Sequence, residues 1–388
     1  MRCNNWQNKI APGHRISSDT LRPRMCHLST WLPLTLLVAF ASACDRGGPI
    51  EPSPAPKAAS PATPPAELDD DGRYRMPAAE RVVAIGDVHG DIAATRAALR
   101  IAGALNEKDE WIGGKLVVVQ TGDQLDRGDD EPEILALFDA LEKDARASGG
   151  RFYAMNGNHE VMNVAGDFRY VTEGGFSDYA DVKPVGATLS QKTQPLDPIM
   201  RGRAAAFLPG GPEAKRLAKR PITLVVGDTA FAHGGILPGH LRYGLSRMND
   251  EAQKWMRGET DKAPEILDGP TSPIWSRDFS DGQPSARSCA ALGRVLSMLK
   301  VQRMVVGHTV QKDGITSGCG DRVWRIDVGM AKHYGGKPQV LEITGGKVRS
   351  LGASEVPASA PSASAGAAPR PVLVAPTRRG LEKSHASP

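Results

Sequence analysis

Three apolar, β-branched runs in the first half of the chain each end in a polar turn marked by glycine. Arg81–Asp87 reads RVVAIGD, Lys115–Asp123 reads KLVVVQTGD and Arg151–Gly157 reads RFYAMNG. Short continuous apolar runs of this kind predict buried strands. Between them the period changes to that of a helix. One helical segment opens at Asp91, a suitable N-cap, and sets Ile92, Thr95, Leu99 and Ala102 on one face. A second begins near Pro132, carries Ile134, Leu135, Phe138 and Leu141 on one face, and stops at Gly149–Gly150. Strand, helix, strand, helix, strand predicts parallel pairing through right-handed crossovers. In the second half, Ile222–Val226 and Thr229–His233 flank Gly227–Asp228 in the manner of a hairpin. A helix with Leu292, Val295, Leu296 and Leu299 on one face precedes a strand at Met304–Val306, and Val323–Val328 and Pro338–Ile343 supply two more. Together these predict a layered α/β fold, mixed sheets flanked by helices, over residues 79–352. Residues 161–220 show little regular pattern and are a candidate cap insertion over a site.

The pattern fails at both ends. Trp31–Ala43 reads WLPLTLLVAFASA, about the length of a signal-peptide apolar segment, with Arg22 and Arg24 before it and Cys44 directly after. Residues 1–44 are expected to be a leader of bacterial lipoprotein type, although Ala41 stands where such leaders usually carry Leu. Ordinary secretion by cleavage near Ala43 is the alternative. Either reading exports the chain, to the periplasm or to a membrane anchored through a lipidated Cys44. Residues 45–78 and 353–388 are rich in Pro, Ala and Ser and are expected to be a disordered tether and tail. A net charge of +4 and 5% aromatic residues argue against a nucleic-acid surface. Of the five cysteines, Cys3, Cys26 and Cys44 fall in the leader. Cys289 and Cys319 fall in the core region, form no CxxC pair, and are candidates for a disulfide in an exported protein.

The strand ends carry the chemistry. The first three lead into Gly86-Asp87-Val88-His89-Gly90-Asp91, Gly122-Asp123-Gln124-Leu125-Asp126-Arg127-Gly128 and Gly157-Asn158-His159-Glu160. Two later strands lead into His233-Gly234-Gly235 and Gly307-His308-Thr309. In open α/β sheets ligands bind at the carboxyl ends of strands, so these turns are placed to converge. Carboxylate, amide and imidazole ligands suit Mn, Fe or Zn. Two such cations ~3.5–4 Å apart can activate a water and clamp the oxygens of an in-line displacement. Taken singly, a Gly-Asp or His-Gly after a strand is an ordinary turn; five in order are not.

GDVHG, GDQLDRG, GNHE, HGG and GHT in this order resemble the phosphoprotein-phosphatase branch of the metallophosphoesterase superfamily, with the bacterial Shewanella-like phosphatases nearest, over roughly residues 81–352. The resemblance implies two divalent metal ions. It places Asp87, His89 and Asp123 on the first, and Asp123, Asn158, His233 and His308 on the second, with a hydroxide nucleophile between them. It makes His159 the general acid rather than a ligand, Asp126 its orienting carboxylate, and Arg127 a fork on the substrate phosphate, with Asn158 also close to it. Arg277 and Tyr334 are softer candidates for the phosphate site, weighed against a surface salt bridge and simple packing. Asp327 is a candidate partner for a histidine ligand, and Glu160 reads as loop support or a helix cap. The implied substrate is a phosphorylated protein (Tyr or Ser/Thr) or a small phosphomonoester. A phosphodiesterase or dinucleoside-polyphosphate hydrolase on the same scaffold is the enzymatic alternative. A non-catalytic metal-binding surface lipoprotein is the third reading, against which the intact set of His159, Asp126 and Arg127 argues.

Overall fold

The computed structural model describes residues 72–353. The expected leader and tail, and all but the end of the expected tether, lie outside the described residues. In chain order the strands are β1 Arg75–Met76, β2 Arg81–Ile85, β3 Val117–Gln120, β4 Arg151–Ala154, β5 Thr223–Val226, β6 Thr229–Ala232, β7 Arg303–Val306, β8 Thr316–Gly318, β9 Val323–Arg325, β10 Gln339–Thr344 and β11 Lys347–Gly352. The helices are α1 Ile92–Ile101, α2 Glu131–Ala147, α3 Asn158–Val164, α4 Glu173–Ser177, α5 Ala187–Thr193, α6 Pro198–Phe207, α7 Pro212–Leu217, α8 Pro238–Tyr243, α9 Leu245–Met256 and α10 Ala286–Leu299.

Two mixed sheets result, ordered β11-β10-β2-β3-β4 and β1-β5-β6-β7-β9-β8. Strands β2, β3 and β4 pair in parallel, as the alternation with α1 and α2 predicts. β5 and β6 form the expected hairpin around Gly227–Asp228. Side-chain alternation along the strands sorts the core into layers. Ala84, Val119 and Leu341 of one sheet meet Leu224, Phe231 and Val305 of the other in a cluster between the sheets. Val83, Ile85 and Val118 point the other way, onto Leu99 of α1 and Ile134 and Phe138 of α2. Val225, Ala232 and Met304 face a third cluster with Phe207 of α6, Met248 of α9 and Val295 of α10. The fold is therefore helix, sheet, sheet, helix. Thr95, the one polar residue on the predicted face of α1, is buried because its hydroxyl donates to the Asp91 carbonyl at 2.7 Å.

Three expectations need correction. The tether does not run to residue 78: β1 pairs with β5, and the Tyr74 hydroxyl donates to Asp250 at 2.9 Å. An edge strand with unpaired backbone groups attracts such a partner even when it is only two residues long. Residues 161–220 are not irregular but carry α4 to α7, opened by side-chain caps at Thr172 and Asp197 and by prolines at 198 and 212. Helices this short show too few turns to display a period. The strand expected over Val323–Val328 pairs only to Arg325 in β9, since the chain must leave the ladder to bring Asp327 toward Asp87.

Candidate active site

The carboxyl ends of β2, β3 and β4 meet those of β6 and β7, so that turns from both sheets interlock. The amides of Val88 and His89 donate to the Asp123 carbonyl at 3.1 and 3.0 Å, and the Gly307 amide donates to the His233 carbonyl at 2.8 Å. Across the sheets, the His308 amide donates to the Asp87 carboxylate at 3.2 Å. Asp87, His89, Asp123, Asn158, His159, His233 and His308 are all buried. Backbone strain is concentrated in the same place. Among the nine described non-glycine residues with positive φ are His89, Asp123, Asp126, Arg127 and His308. Each such residue costs of order 1–2 kcal/mol and persists only where its surroundings over-determine it. Gly157 and Gly307 are required by proximity: a Cβ at Gly157 would lie 2.2 Å from Asp123 Oδ1, and one at Gly307 2.4 Å from Asp87 Oδ1.

The histidine rings explain what this crowding is for. His233 Nδ1 lies 3.1 Å from the Thr121 carbonyl, which can only accept, so Nδ1 carries a proton and Nε2 is the nitrogen turned into the site. Nε2 faces Asn158 Oδ1 at 2.8 Å and Asp123 Oδ2 at 3.2 Å. An imidazole nitrogen, an amide oxygen and a carboxylate oxygen thus converge on one point. His89 repeats the arrangement: Nδ1 donates to the Leu125 carbonyl at 3.0 Å, and Nε2 faces Asp123 Oδ2 at 3.7 Å and Asp87 Oδ2 at 4.0 Å. His308 is buried with neither ring nitrogen partnered among the described residues. Burial pushes the imidazole of His89 down to about 3 and that of His308 down to about 2, so both are neutral at physiological pH and available as ligands. Burial, together with the charges of Asp327 and Asp123, raises Asp87 well above the usual carboxylate range. Burial also works to raise Asp123, but His233, His159 and His89 outweigh it and hold that carboxyl well below the ordinary value. Acceptors and acids gathered without a counter-charge fit a divalent cation, and the donor set suits Mn, Fe or Zn. The potential ligands fall into two groups that share Asp123: His89, Asp123 and His159, and Asp123, His233 and His308.

His159 stands apart from the other rings. Its Nδ1 lies 2.5 Å from Asp126 Oδ2, and its Nε2 lies 3.5 Å from the Arg127 guanidinium, a permanent cation. Burial opposes charging of this ring, but Asp123 and Asp126 outweigh it and its pKa is raised. Arg127 reaches across the mouth between the rings of Tyr170 and Tyr334, 4.7 and 5.1 Å from its guanidinium carbon. Its buried Nε has no acceptor among the described residues. Arg277 donates to Thr309 Oγ1 at 2.8 Å, beside His308, and lines with Trp275, Met162 and Arg169 a cavity of about 770 Å³ next to the site. Glu160 accepts amides from Asp123, Gln124, Leu125 and Gly157 at 2.7–3.2 Å, which makes it the loop support expected of it. Asp327 corrects an expectation: its carboxyl engages Asp87 and the Gly329 amide rather than a histidine ring. Tyr170, Glu131, Asn163 and Arg203 were not foreseen. Asn163 was open to inference, one helical turn beyond His159; Arg203 carries no local signal at all.

A family model described as calcineurin-like phosphoesterase matches residues 80–312. The chain is 42% identical over 300 residues to Shewanella-like protein phosphatase 2 of Arabidopsis thaliana, covering 70% of this chain and 76% of that relative. It is 30% identical over 289 residues to Shewanella-like protein phosphatase 1 of Plasmodium berghei, covering 70% and 74%. Among solved structures, the cold-active protein-tyrosine phosphatase of a psychrophilic Shewanella species matches with a TM-score of 0.56 over 72% of this chain and 82% of that one; at 21% identity the likeness is one of fold. With five strand-end turns meeting in one acidic, histidine-lined site, and relatives of this kind across the folded region, the chain belongs to the calcineurin-like phosphoesterase family and is a metal-dependent phosphatase.

Proposed function

We propose that this chain hydrolyses phosphate monoesters, of phosphoprotein type, with two divalent cations bridged by Asp123. The observation that carries the reading is the His159–Asp126 pair and the underused Arg127 guanidinium set beside the acceptor cluster. Asp87, His89 and Asp123 would hold one cation, and Asp123, Asn158, His233 and His308 the other. Such ions supply Lewis acidity toward phosphoryl oxygens and make water a competent nucleophile at neutral pH. The chain's own residues do the rest. Arg127 orients the phosphoryl group by a bidentate fork, with Tyr170 and Tyr334 limiting its swing. Asp126 holds Nδ1 of His159, leaving Nε2 to act on the leaving oxygen. As the new P–O bond forms from water, which gives up a proton to solvent, the old one breaks, its electron pair goes to the leaving oxygen, and His159 delivers a proton there and is later reprotonated from solvent. The products are inorganic phosphate and an alcohol or phenol. Arg277, beside Thr309, would meet the phosphate from the second sheet.

The protein-phosphatase names of the Arabidopsis and Plasmodium relatives support a phosphoprotein substrate. We propose also that the chain is exported, with Cys44 as a lipid anchor. The Cys289–Cys319 disulfide, Cα atoms 5.3 Å apart, supports an oxidising compartment. Intact-mass analysis of the protein from its native membrane would show cleavage before Cys44 with added acyl mass; an unprocessed chain would contradict export.

The test of function compares a phosphotyrosyl peptide, a phosphoseryl peptide and a dinucleoside tetraphosphate. Turnover of a peptide, with the tetraphosphate left intact, is expected. Asp123→Asn abolishes that turnover and lowers the metal content, whereas full activity in a folded Asp123→Asn protein would contradict the bridging role.

A further inference from the structure

The Asp126–His159 pair has a layer of support that comes from the segment expected to be a cap. Arg203, midway along α6, is fully buried. Its Nη1 and Nη2 donate to the two Glu131 oxygens at 2.6 and 3.0 Å, a bidentate fork. Its Nε donates to Asn163 Oδ1 at 2.8 Å, and Nη2 also reaches Asp126 Oδ1 at 3.3 Å. The two residues that receive these bonds return to the pair itself. The Asn163 amide donates to Asp126 Oδ1 at 3.0 Å and to the His159 carbonyl at 2.9 Å. Glu131 accepts the Asp126 amide at 2.5 Å. Asp126 Oδ1 is thereby fully engaged, and Oδ2 is left for His159.

Packing alone does not call for this network, because apolar side chains of similar volume serve a core as well or better than a buried ion pair. Its location supplies the reason. Asp126 and Arg127 are consecutive non-glycine residues with φ of 66° and 67°. A turn of that kind relaxes unless it is held, and relaxation would swing both side chains away from His159.

We propose that Arg203 is a positioning residue for the general acid: through Glu131, Asn163 and Asp126 it fixes the turn and aims the His159 ring at the leaving oxygen. This rests on the general-acid reading of His159 and makes α6 part of the catalytic machinery.

The test is a leaving-group comparison. Arg203→Met alone would strand the Glu131 carboxylate, so the main variant is Arg203→Met with Glu131→Gln, which removes both charges and keeps an acceptor for the Asp126 amide. With metal content and thermal stability measured alongside, kcat/KM should fall ~10-fold or more for phenyl phosphate and under about threefold for p-nitrophenyl phosphate, whose leaving group needs no proton. Arg203→Lys should recover part of the loss. In an Asp126→Asn background the same pair of substitutions should add nothing further. Equal losses on both esters, or losses that add independently to Asp126→Asn, overturn the assignment. His159→Ala run in parallel separates the two claims. If it too loses equally on both esters, the general-acid reading falls and this proposal with it. If His159→Ala discriminates between the esters and the Arg203 variants do not, only Arg203's role is rejected.

Discussion

His89, His233 and His159 are told apart by what the second ring nitrogen meets. In the first two a backbone carbonyl accepts from Nδ1 and leaves Nε2 turned into the acceptor cluster. The carboxylates of Asp123 and of Asp126, the latter on Nδ1, keep His159 able to hold a proton against its burial and the nearby Arg127 guanidinium. Arginine at 127 should be irreplaceable for the same geometric reason. Arg127→Lys keeps the charge but loses the fork and the aromatic stacking, and should raise KM and lower kcat/KM by ~10-fold or more; unchanged kinetics would remove it from the phosphate site. Gly157→Ala is a sharper probe. Gly157 has an ordinary negative φ of −97°, so strain is not the issue. The added Cβ would collide with Asp123 Oδ1, and metal content should drop together with activity while the protein stays folded. Asp87, His89, Asp123, Asn158, His233 and His308 were legible from sequence because each sits next to a glycine just after a strand. Tyr170 was not: it belongs to a loop without such a mark, and the fold alone sets its ring 4.7 Å from the Arg127 guanidinium carbon and 5.2 Å from the His159 ring.

Elements hold one another by few, specific contacts. Glu160, in the first turn of α3, draws together the loops after β3 and β4 with one carboxylate. Glu160→Gln replaces a charged acceptor with an amide that cannot receive as many bonds, and should cost about 2–3 kcal/mol of stability; denaturant unfolding checks it. At the start of α8, His240 accepts the Leu237 amide on Nδ1 at 3.0 Å and lies with Nε2 2.8 Å from the Thr271 carbonyl. Burial pushes its pKa from 6.5 down to about 4. The folded state therefore resists a proton that the unfolded chain accepts. His240's contribution is intact above pH 6.5 and declines as pH falls toward 4, by at most about 3 kcal/mol. His240→Gln should flatten that part of the stability curve relative to the parent; an unaltered difference across this range would contradict the assignment. The alternation of β2, α1, β3, α2 and β4 was readable because each element is long enough to show its period. α4, α5 and α7, of five to seven residues, are not, and β1 exists only because β5 offers an edge.

Across the whole molecule, the site forms only where two sheets, packed through Ala84, Leu224, Phe231 and Val305, bring their strand ends to one edge. Residue order predicted that convergence because all five turns follow strands. The contribution of α6 could not be foreseen, since the Arg203 contacts to Asp126 and Glu131 span separations of 77 and 72 residues. The Cys289–Cys319 disulfide ties α10 to the β8–β9 turn across a separation of 30 residues. Its removal by Cys289→Ser should lower stability by about 3–4 kcal/mol, with non-reducing peptide mapping to confirm the bridge in the parent. On the proposed reading, this edge binds a pair of divalent cations and needs both for hydrolysis. Elemental analysis of the purified protein, taken through stepwise chelation and re-addition while p-nitrophenyl phosphate turnover is followed, tests it most directly. Two ions per chain are expected, with turnover lost on chelation and recovered as the second ion returns. A folded protein that binds no divalent ion, or that keeps full turnover once stripped, would contradict it.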